Sequence, residues 1–569
     1  MLSKKRKADE PPAGVAAAAR GDVDEFEPLP TIGRRRIDEA LKEADQSLAA
    51  IEQNAKQMRR KLREQAAMIR GLITSNGGQP SAMGQLDEEI EVNVGGTVLC
   101  VPRKPLLLPG VSESVIAYLL LYHLEGLPKD TDGRPFLDAD PVYVDWLFDE
   151  IAKLFGVDAQ GETAKIELTG VHATDSSSLF WHDLLFASKT SLDIDMPADA
   201  PTPDNDDHDN MQVDDEQQQQ DGEEEGENKA IDGMATFSKS IASLDASVGW
   251  LGAAEDRLKH FYKLVKPLLA SGVGQGDEIR SVRVGGKTVS TTEATLSHAG
   301  RDKRLYTTFH DGAAVHATSS APFMKVVDFA RRKRITQPAS LVMPPTASNA
   351  RQMQVDTEMY GLKHEPFCSG LAGGNLVIET AEEWNEVLKM TGKTSPKPSL
   401  IYRGSRDTYA YPKMLQCVAG KSGLLFALRD GDTHRFGCFI DGELTPPQEY
   451  KVPTFFYSLS GAYDTPTKIE LPEDRQTVAV AGTQGAVMDK KREPLANVYI
   501  GRGYLWLGFA EPGPAADLSS CHQWIAKDEL LPLGYKGNIN QQGNGTLAQS
   551  NNFTASEIEI WHITEGGSD

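Results

Sequence analysis

Ile90-Glu-Val-Asn-Val-Gly-Gly-Thr-Val98 and Val282-Arg-Val-Gly-Gly-Lys-Thr-Val289 are two versions of one phrase. In both, apolar and polar residues alternate and two glycines follow, the pattern of a strand entering a tight hairpin turn. A stretch with four-three apolar spacing precedes each phrase. Before the first run Ile37, Leu41, Ala44, Leu48, Ile51, Ala55, Met58, Leu62, Ile69 and Leu72, broken at Gln65. Before the second run Phe237, Ile241, Leu244, Val248, Leu251, Leu258, Tyr262 and Val265, broken at Glu255 and weakened by Gly249, Gly252 and Pro267. That spacing is a heptad seam, a narrow stripe that needs a partner helix. The chain therefore reads as a duplicated helix-plus-domain unit.

After the first hairpin come Leu106-Leu-Leu-Pro109, an apolar helical stretch over 115–124, and Asp132-Gly-Arg-Pro-Phe-Leu-Asp-Ala-Asp-Pro141 before a helix through Trp146 and Ile151. Short strands mixed with helices predict an α/β unit. The order V-N-V-G-G, L-L-x-P, D-G-x-x-F-x-D-x-D-P resembles the potassium-channel tetramerisation type of BTB/POZ domain, with Ala139 in place of that family's Arg and Pro105 in place of its Thr. The resemblance implies self-association into closed rings, with Val92, Asn93, Val94, Gly95, Gly96, Asp132, Gly133, Phe136, Asp138, Asp140 and Pro141 as the assembly motif, and a cullin as a partner in some members. The second unit keeps the order through Thr292, Thr295-Leu296, Asp311-Gly312 and Phe323 but has Ala-Thr-Ser-Ser-Ala-Pro322 where the first has its acidic segment. It reads as a diverged copy that keeps the fold without the assembly interface, a spacer.

Past about residue 370 short apolar strands separated by Gly, Asp and Pro predict a β-sandwich. Their order, L-I-Y-R-G-S-R-D (400–407), G-L-L-F-A-L (423–428), H-R-F-G-C-F (434–439), F-F-Y-S-L (455–459), W-L-G-F (506–509) and F-T-A-S-E-I-E-I-W (553–561), resembles the TLDc domain. Its motif residues here are Tyr402, Arg403, Arg406, Asp407, Phe436, Gly437, Phe455, Phe456, Ser458 and Leu459. The resemblance implies a two-sheet sandwich with helices, a role in oxidative-stress resistance and, in some members, binding to the vacuolar proton pump. Bottom-up, Arg403, Arg406 and Asp407 follow a strand, where they either close the sandwich's end or face a partner.

The expected organisation of the 569 residues is multidomain α+β. It runs as a tail (1–30), a coiled-coil helix (31–74), a BTB/POZ domain (87–160), an acidic linker (176–230), a second helical segment (231–270), a diverged BTB-like unit (278–336) and a TLDc domain (370–566). The net charge of -23 disfavours nucleic acid, and much of it sits in the acidic run 201–227. Five cysteines without C-x-x-C spacing make neither a disulfide framework nor a zinc site. No apolar h-region follows the basic start, and the longest apolar stretch, 115–124, is too short to span a bilayer, so a cytoplasmic location is expected. The cluster Lys4, Lys5, Arg6 and Lys7 adds the expectation of a nuclear share.

No catalytic motif survives inspection. The phosphate-loop endings Gly420-Lys-Ser422 and Gly392-Lys-Thr394 lack the earlier glycine. Cys438 and Cys521 lie near His434 and His522, but small hydrophobes in a sheet explain them. The expectation is a scaffold with no cofactor and no metal. The competing readings are redox or hydrolytic chemistry at those thiols and a ubiquitin-ligase adaptor.

Overall fold

The computed structural model describes residues 29–79, 87–154, 165–187, 246–247, 249, 251–259, 261–270, 275–311, 320–369, 371, 376–444, 449–481, 487–488, 494–526 and 530–565. The basic cluster 4–7, the acidic run 201–227, the seam positions 237, 241, 244 and 248 and most of the charged loop after Thr483 lie outside them. The chain divides into two compact units: Met1–Ala67 with Met211–Gly252, and Met68–Asn210 with Ala253–Asp569.

Leu29–Ser75 is one continuous 47-residue helix, most of it in the smaller unit. Ile51, Ala55, Met58 and Leu62 on its seam are half-buried, while Glu52, Lys56, Arg59 and Arg60 beside them are exposed. An Arg60–Glu64 pair at 2.8 Å, one turn apart, supports the exposed face. Gln65, which breaks the seam, lies beside Gly252.

The larger unit opens on the first duplicated segment. Glu89–Val94 and Thr97–Pro102 pair antiparallel in the predicted register, Val94 opposite Thr97. Gly95 and Gly96 turn at φ +57° and +103°, a region closed to most side chains. Phe136–Leu137 adds a parallel third strand on Asn93 and Val94. Val115–Tyr122 is the predicted apolar helix, buried at nearly every position, and Pro141–Lys153 follows Asp140, whose carboxylate caps the helix by accepting from Val142 N.

The linker expected over 176–230 starts later than its composition suggests. Ser176–His182 is a helix continued by Asp183–Ala187, because Trp181, Leu185 and Phe186 bury enough apolar surface in the first segment's core to hold this end there. The second heptad also ends differently. Leu258, Tyr262 and Val265 are buried in the first segment's core, with Phe261 edge-on to Tyr118 at 4.6 Å and the Tyr262 hydroxyl 2.9 Å from His123 Nε2. These seam residues pack on a globular core, which offers a broader apolar surface than one partner helix.

The second segment repeats the first in outline. Ile279–Val284 and Lys287–Thr292 form a hairpin with Val284 opposite Lys287. Helices follow at Glu293–Ala299, capped by Thr292, at Arg304–His310 and at Ser320–Ile335. Phe323, Val326, Val327 and Ala330 of the last helix are buried in the second segment's own core.

The C-terminal region is a sandwich of two six-stranded sheets. One has the order Thr467–Glu470, Thr454–Ser460, His434–Ile440, Leu424–Asp430, Glu557–Glu565, Pro396–Arg403. The other has the order Tyr450–Lys451, Thr477–Val480, Val498–Ile500, Leu505–Leu507, Ser520–Gln523, Asn552–Thr554. Phe426, Leu428, Phe436 and Cys438 face the second sheet, while Leu425, Ala427, Phe439 and Tyr457 face Trp384 of the helix Ala381–Met390. The first sheet is thus covered on both faces, the reason its strands read as unbroken apolar runs. The closing motif 553–561 serves both layers: Phe553 lies on the edge strand of the second sheet, and Glu557 begins the first-sheet strand between Leu424–Asp430 and Pro396–Arg403.

Candidate functional site

The predicted assembly motif lies at a joint between the two hairpin-and-helix segments. Asp138, 2% exposed, leaves the short strand after Phe136–Leu137 and points at the second segment. Arg331 Nε reaches its Oδ1 at 2.8 Å and Arg334 Nη2 its Oδ2 at 3.4 Å. The hydroxyls of Thr291 (2.8 Å), Thr292 (2.8 Å) and Thr295 (2.6 Å) donate to the same carboxylate. Burial alone would push the Asp138 carboxyl up, but the two guanidiniums and the threonines outweigh it and bring it down to about 2.

Asp140, next along, differs. It accepts from Ser177 Oγ at 2.8 Å and Val142 N at 3.1 Å. Burial, followed by repulsion from Asp328, pushes its carboxyl up to about 6. Asp328 is held by Arg332 Nε and Trp181 Nε1, each at 2.7 Å. The glycine turn completes the joint. Ser290 N of the second hairpin donates to Gly95 O at 2.9 Å. A Cβ on Gly95 would lie 2.8 Å from Ala139 O and 2.9 Å from Arg331 Nη2, and one on Gly96 2.7 Å from Thr288 O.

The other motif residues build this frame. Val92, Val94 and Phe136 are fully buried, and Pro141 starts the capped helix. Asn93 donates to Asp130 Oδ2 at 2.9 Å and accepts from Gly96 N at 3.0 Å. Asp132 pairs with Arg134 in an exposed turn that Gly133 closes at φ +80°. Asp138 and Asp140, expected to join separate chains, meet arginines and hydroxyls of their own chain. The second segment, expected as a spacer, supplies those groups. Its Arg331-Arg-Lys-Arg334 run was the available signal, since three arginines within one helical turn and a half need acidic or carbonyl partners wherever that turn is buried.

The C-terminal motif makes a second buried ion cluster. Arg403 pairs in register with Glu559 on the neighbouring strand. Its Nε lies 2.8 Å from Glu557 Oε2 and 3.7 Å from Glu559 Oε1. Ser405 N and Oγ both donate to Glu557, and Arg403 N donates to Asp407 Oδ2 at 3.0 Å while Arg406 pairs with the same carboxylate. Burial pushes the Glu559 carboxyl up to about 7, against the pull of Arg403. Tyr402 donates to Thr408 O at 2.8 Å, bracing the loop. Arg403, Arg406 and Asp407 thus close the sandwich's end. Glu557 and Glu559 lie within the closing motif 553–561, and two acids on alternate residues of an apolar strand share one face and call for a cation on the next strand.

Phe436 and Phe456 are buried between the two sheets, Phe455 and Leu459 pack on the helical side, and Ser458 is fully buried. Gly437 gives way to Tyr457, whose hydroxyl donates to Phe426 O at 2.8 Å; a Cβ there would collide with that carbonyl. Burial drives the Cys438 and Cys521 thiols far above their ordinary range. A groove of about 790 Å³ runs beside Arg351, Glu358, His364, Phe367 and Cys368, and burial pushes that Cys368 thiol up to about 12. Burial thus disfavours the thiolate at each of these cysteines. Among the described residues no group of three His, Cys, Asp or Glu is arranged to hold a metal. No helix among them is long and apolar enough to cross a membrane.

The fold and the motif cluster define the C-terminal region as a two-sheet sandwich closed by a buried Arg–Glu cluster. Residues 378–564 match the TLDc domain. The N-terminal part has no family match, and no curated protein matches the chain.

Proposed function

We propose that the chain is a non-enzymatic protein-interaction scaffold that presents its TLDc domain to protein partners, in support of resistance to oxidative stress. The match over 378–564 carries this reading, and the site geometry supports it. The motif's charged groups Arg403, Glu557 and Asp407 are engaged with one another, and Cys438 and Cys521 are buried with raised thiols. Such a domain acts through its surface, and the vacuolar proton pump is the partner class that the TLDc resemblance points to. The proposed location is the cytoplasm, with a nuclear share through Lys4–Lys7. Self-association is part of the proposal through the heptad stripe of the N-terminal helix, with a second copy as its occupant.

Two measurements test the non-enzymatic reading. Native full-length protein treated with a thiol-reactive disulfide at pH 8 is expected to lose its exposed Cys100 thiol quickly, while Cys438 and Cys521 react only on unfolding. Cells dependent on the chain for peroxide survival are expected to survive equally with Cys438→Ala and Cys521→Ala. A folded variant that loses protection overturns the scaffold reading in favour of thiol chemistry.

A further inference from the structure

We propose that the two duplicated segments form a single head-to-tail joint that closes within one chain and cannot propagate to further copies. The first segment contributes the acidic half: Asp138 and the Gly95-Gly96 turn. The second contributes the basic and hydroxyl half: Ser290, Thr291, Thr292, Thr295, Arg331 and Arg334. A head-to-tail contact between like units grows into a ring or filament only if every unit carries both halves. Here each segment has lost the half it does not use.

The correspondence follows from the shared frame. Aligning the glycine turns, Gly95-Gly96 with Gly285-Gly286, sets Ser290, Thr291, Thr292 and Thr295 opposite Cys100, Val101, Pro102 and Pro105. Aligning the first residues of the helices, Pro141 and Ser320, sets the buried positions Val144, Leu147, Phe148 and Ile151 opposite Phe323, Val326, Val327 and Ala330. Arg331 and Arg334 then fall opposite Ala152 and Phe155, and Asp138 and Asp140 opposite Ala317 and Ser319. The first segment therefore offers no counterpart of the five side chains that grip Asp138, and the second no counterpart of the two carboxylates. The two turns differ in the same sense. Gly96 is pressed against Thr288 and Ser290, whereas a Cβ on Gly286 would meet nothing.

Burial makes the loss decisive. A carboxylate taken out of water is tolerated only with its cation in place. The aligned positions Val101, Pro102, Pro105 and Ala152 carry no side-chain donor to give another chain's Asp138. In cis, the joined segments also meet at the high effective concentration of a tether.

The test uses the full chain. Wild type and Asp138→Asn are compared by sedimentation velocity, and the exchange of the Ser290 amide, bonded to Gly95 O across the joint, is followed by mass spectrometry. Closure in cis predicts the same sedimenting mass for both proteins. It also predicts Ser290 protection in the wild type that is unchanged on about a hundredfold dilution and falls at least about tenfold in Asp138→Asn. A mass that drops on substitution, or wild-type protection that fades with dilution, places the joint between chains and overturns the proposal. An unprotected Ser290 in the wild type overturns it as well. The dilution arm needs no variant, so a misfolded substitution does not decide the outcome.

Discussion

Replacing Asp138 and Asp140 separately by Asn should move stability in opposite directions, although the two residues are neighbours in one buried segment. Asp138→Asn keeps the shape and removes the charge that faces Arg331, itself 1% exposed, leaving a buried guanidinium with its strongest partner gone. Breaking a buried pair this way costs about 3–5 kcal/mol. Asp140→Asn removes a carboxylate repelled by Asp328, keeps an acceptor for Ser177, and substitutes one good helix cap for another. It is expected to leave stability unchanged or raise it.

The pH dependence carries the same opposition. The folded-state value of Asp138 is depressed, so its contribution is present above its ordinary range near 4 and is lost as pH falls toward about 2. That of Asp140 is raised, so the fold holds its proton more tightly than the unfolded chain, and stability falls as pH rises through about 6. Urea midpoints of wild type and both variants, read at pH 5 and pH 7.5, measure this. The advantage of Asp140→Asn over wild type should be larger at pH 7.5. Equal losses for the two variants, or a neutral Asp138→Asn, would refute the reasoning.

Three further outcomes concern the sandwich. Arg403→Ala leaves Glu557 and Glu559 buried without their cation and should cost about 3–5 kcal/mol, measured by thermal unfolding of the full chain. Glu559→Gln keeps an acceptor for Trp561 Nε1 and removes a carboxyl raised to about 7, so its melting temperature should match or exceed the wild type at pH 8 and lose that advantage at pH 5.5. Gly437→Ala drives a methyl into Phe426 O on the paired strand, and its loss should reach at least the upper end of the about 1–3 kcal/mol typical of overpacking, seen as a lowered denaturation midpoint.

Much of the fold was legible because local rules and global packing agree. The N-terminal helix, both glycine hairpins, the apolar helix after residue 115 and the main sandwich strands sit where apolar spacing and turn residues put them. Composition misplaced the start of the linker, because Ser176-Ser-Ser reads as polar chain while Trp181 three residues on anchors it. It also took Leu258, Tyr262 and Val265 for a coiled-coil seam, since a stripe of apolar residues does not name its partner. At the sandwich's end, Arg403 and Asp407 were legible as candidates, but their closing role depends on Glu557 and Ser405, which only strand pairing brings near.

By itself, then, the sequence determined the repeated strand-and-glycine phrase, the two hairpins, the acidic segment at Asp138-Ala-Asp140 and the order of strands that marks the TLDc domain, all properties of residues close together in the chain. Only tertiary structure decided what Asp138 binds. Its arginines lie far along the sequence, in the second hairpin-and-helix segment, and the low-dielectric surface between the segments turns that distant pairing into a buried joint.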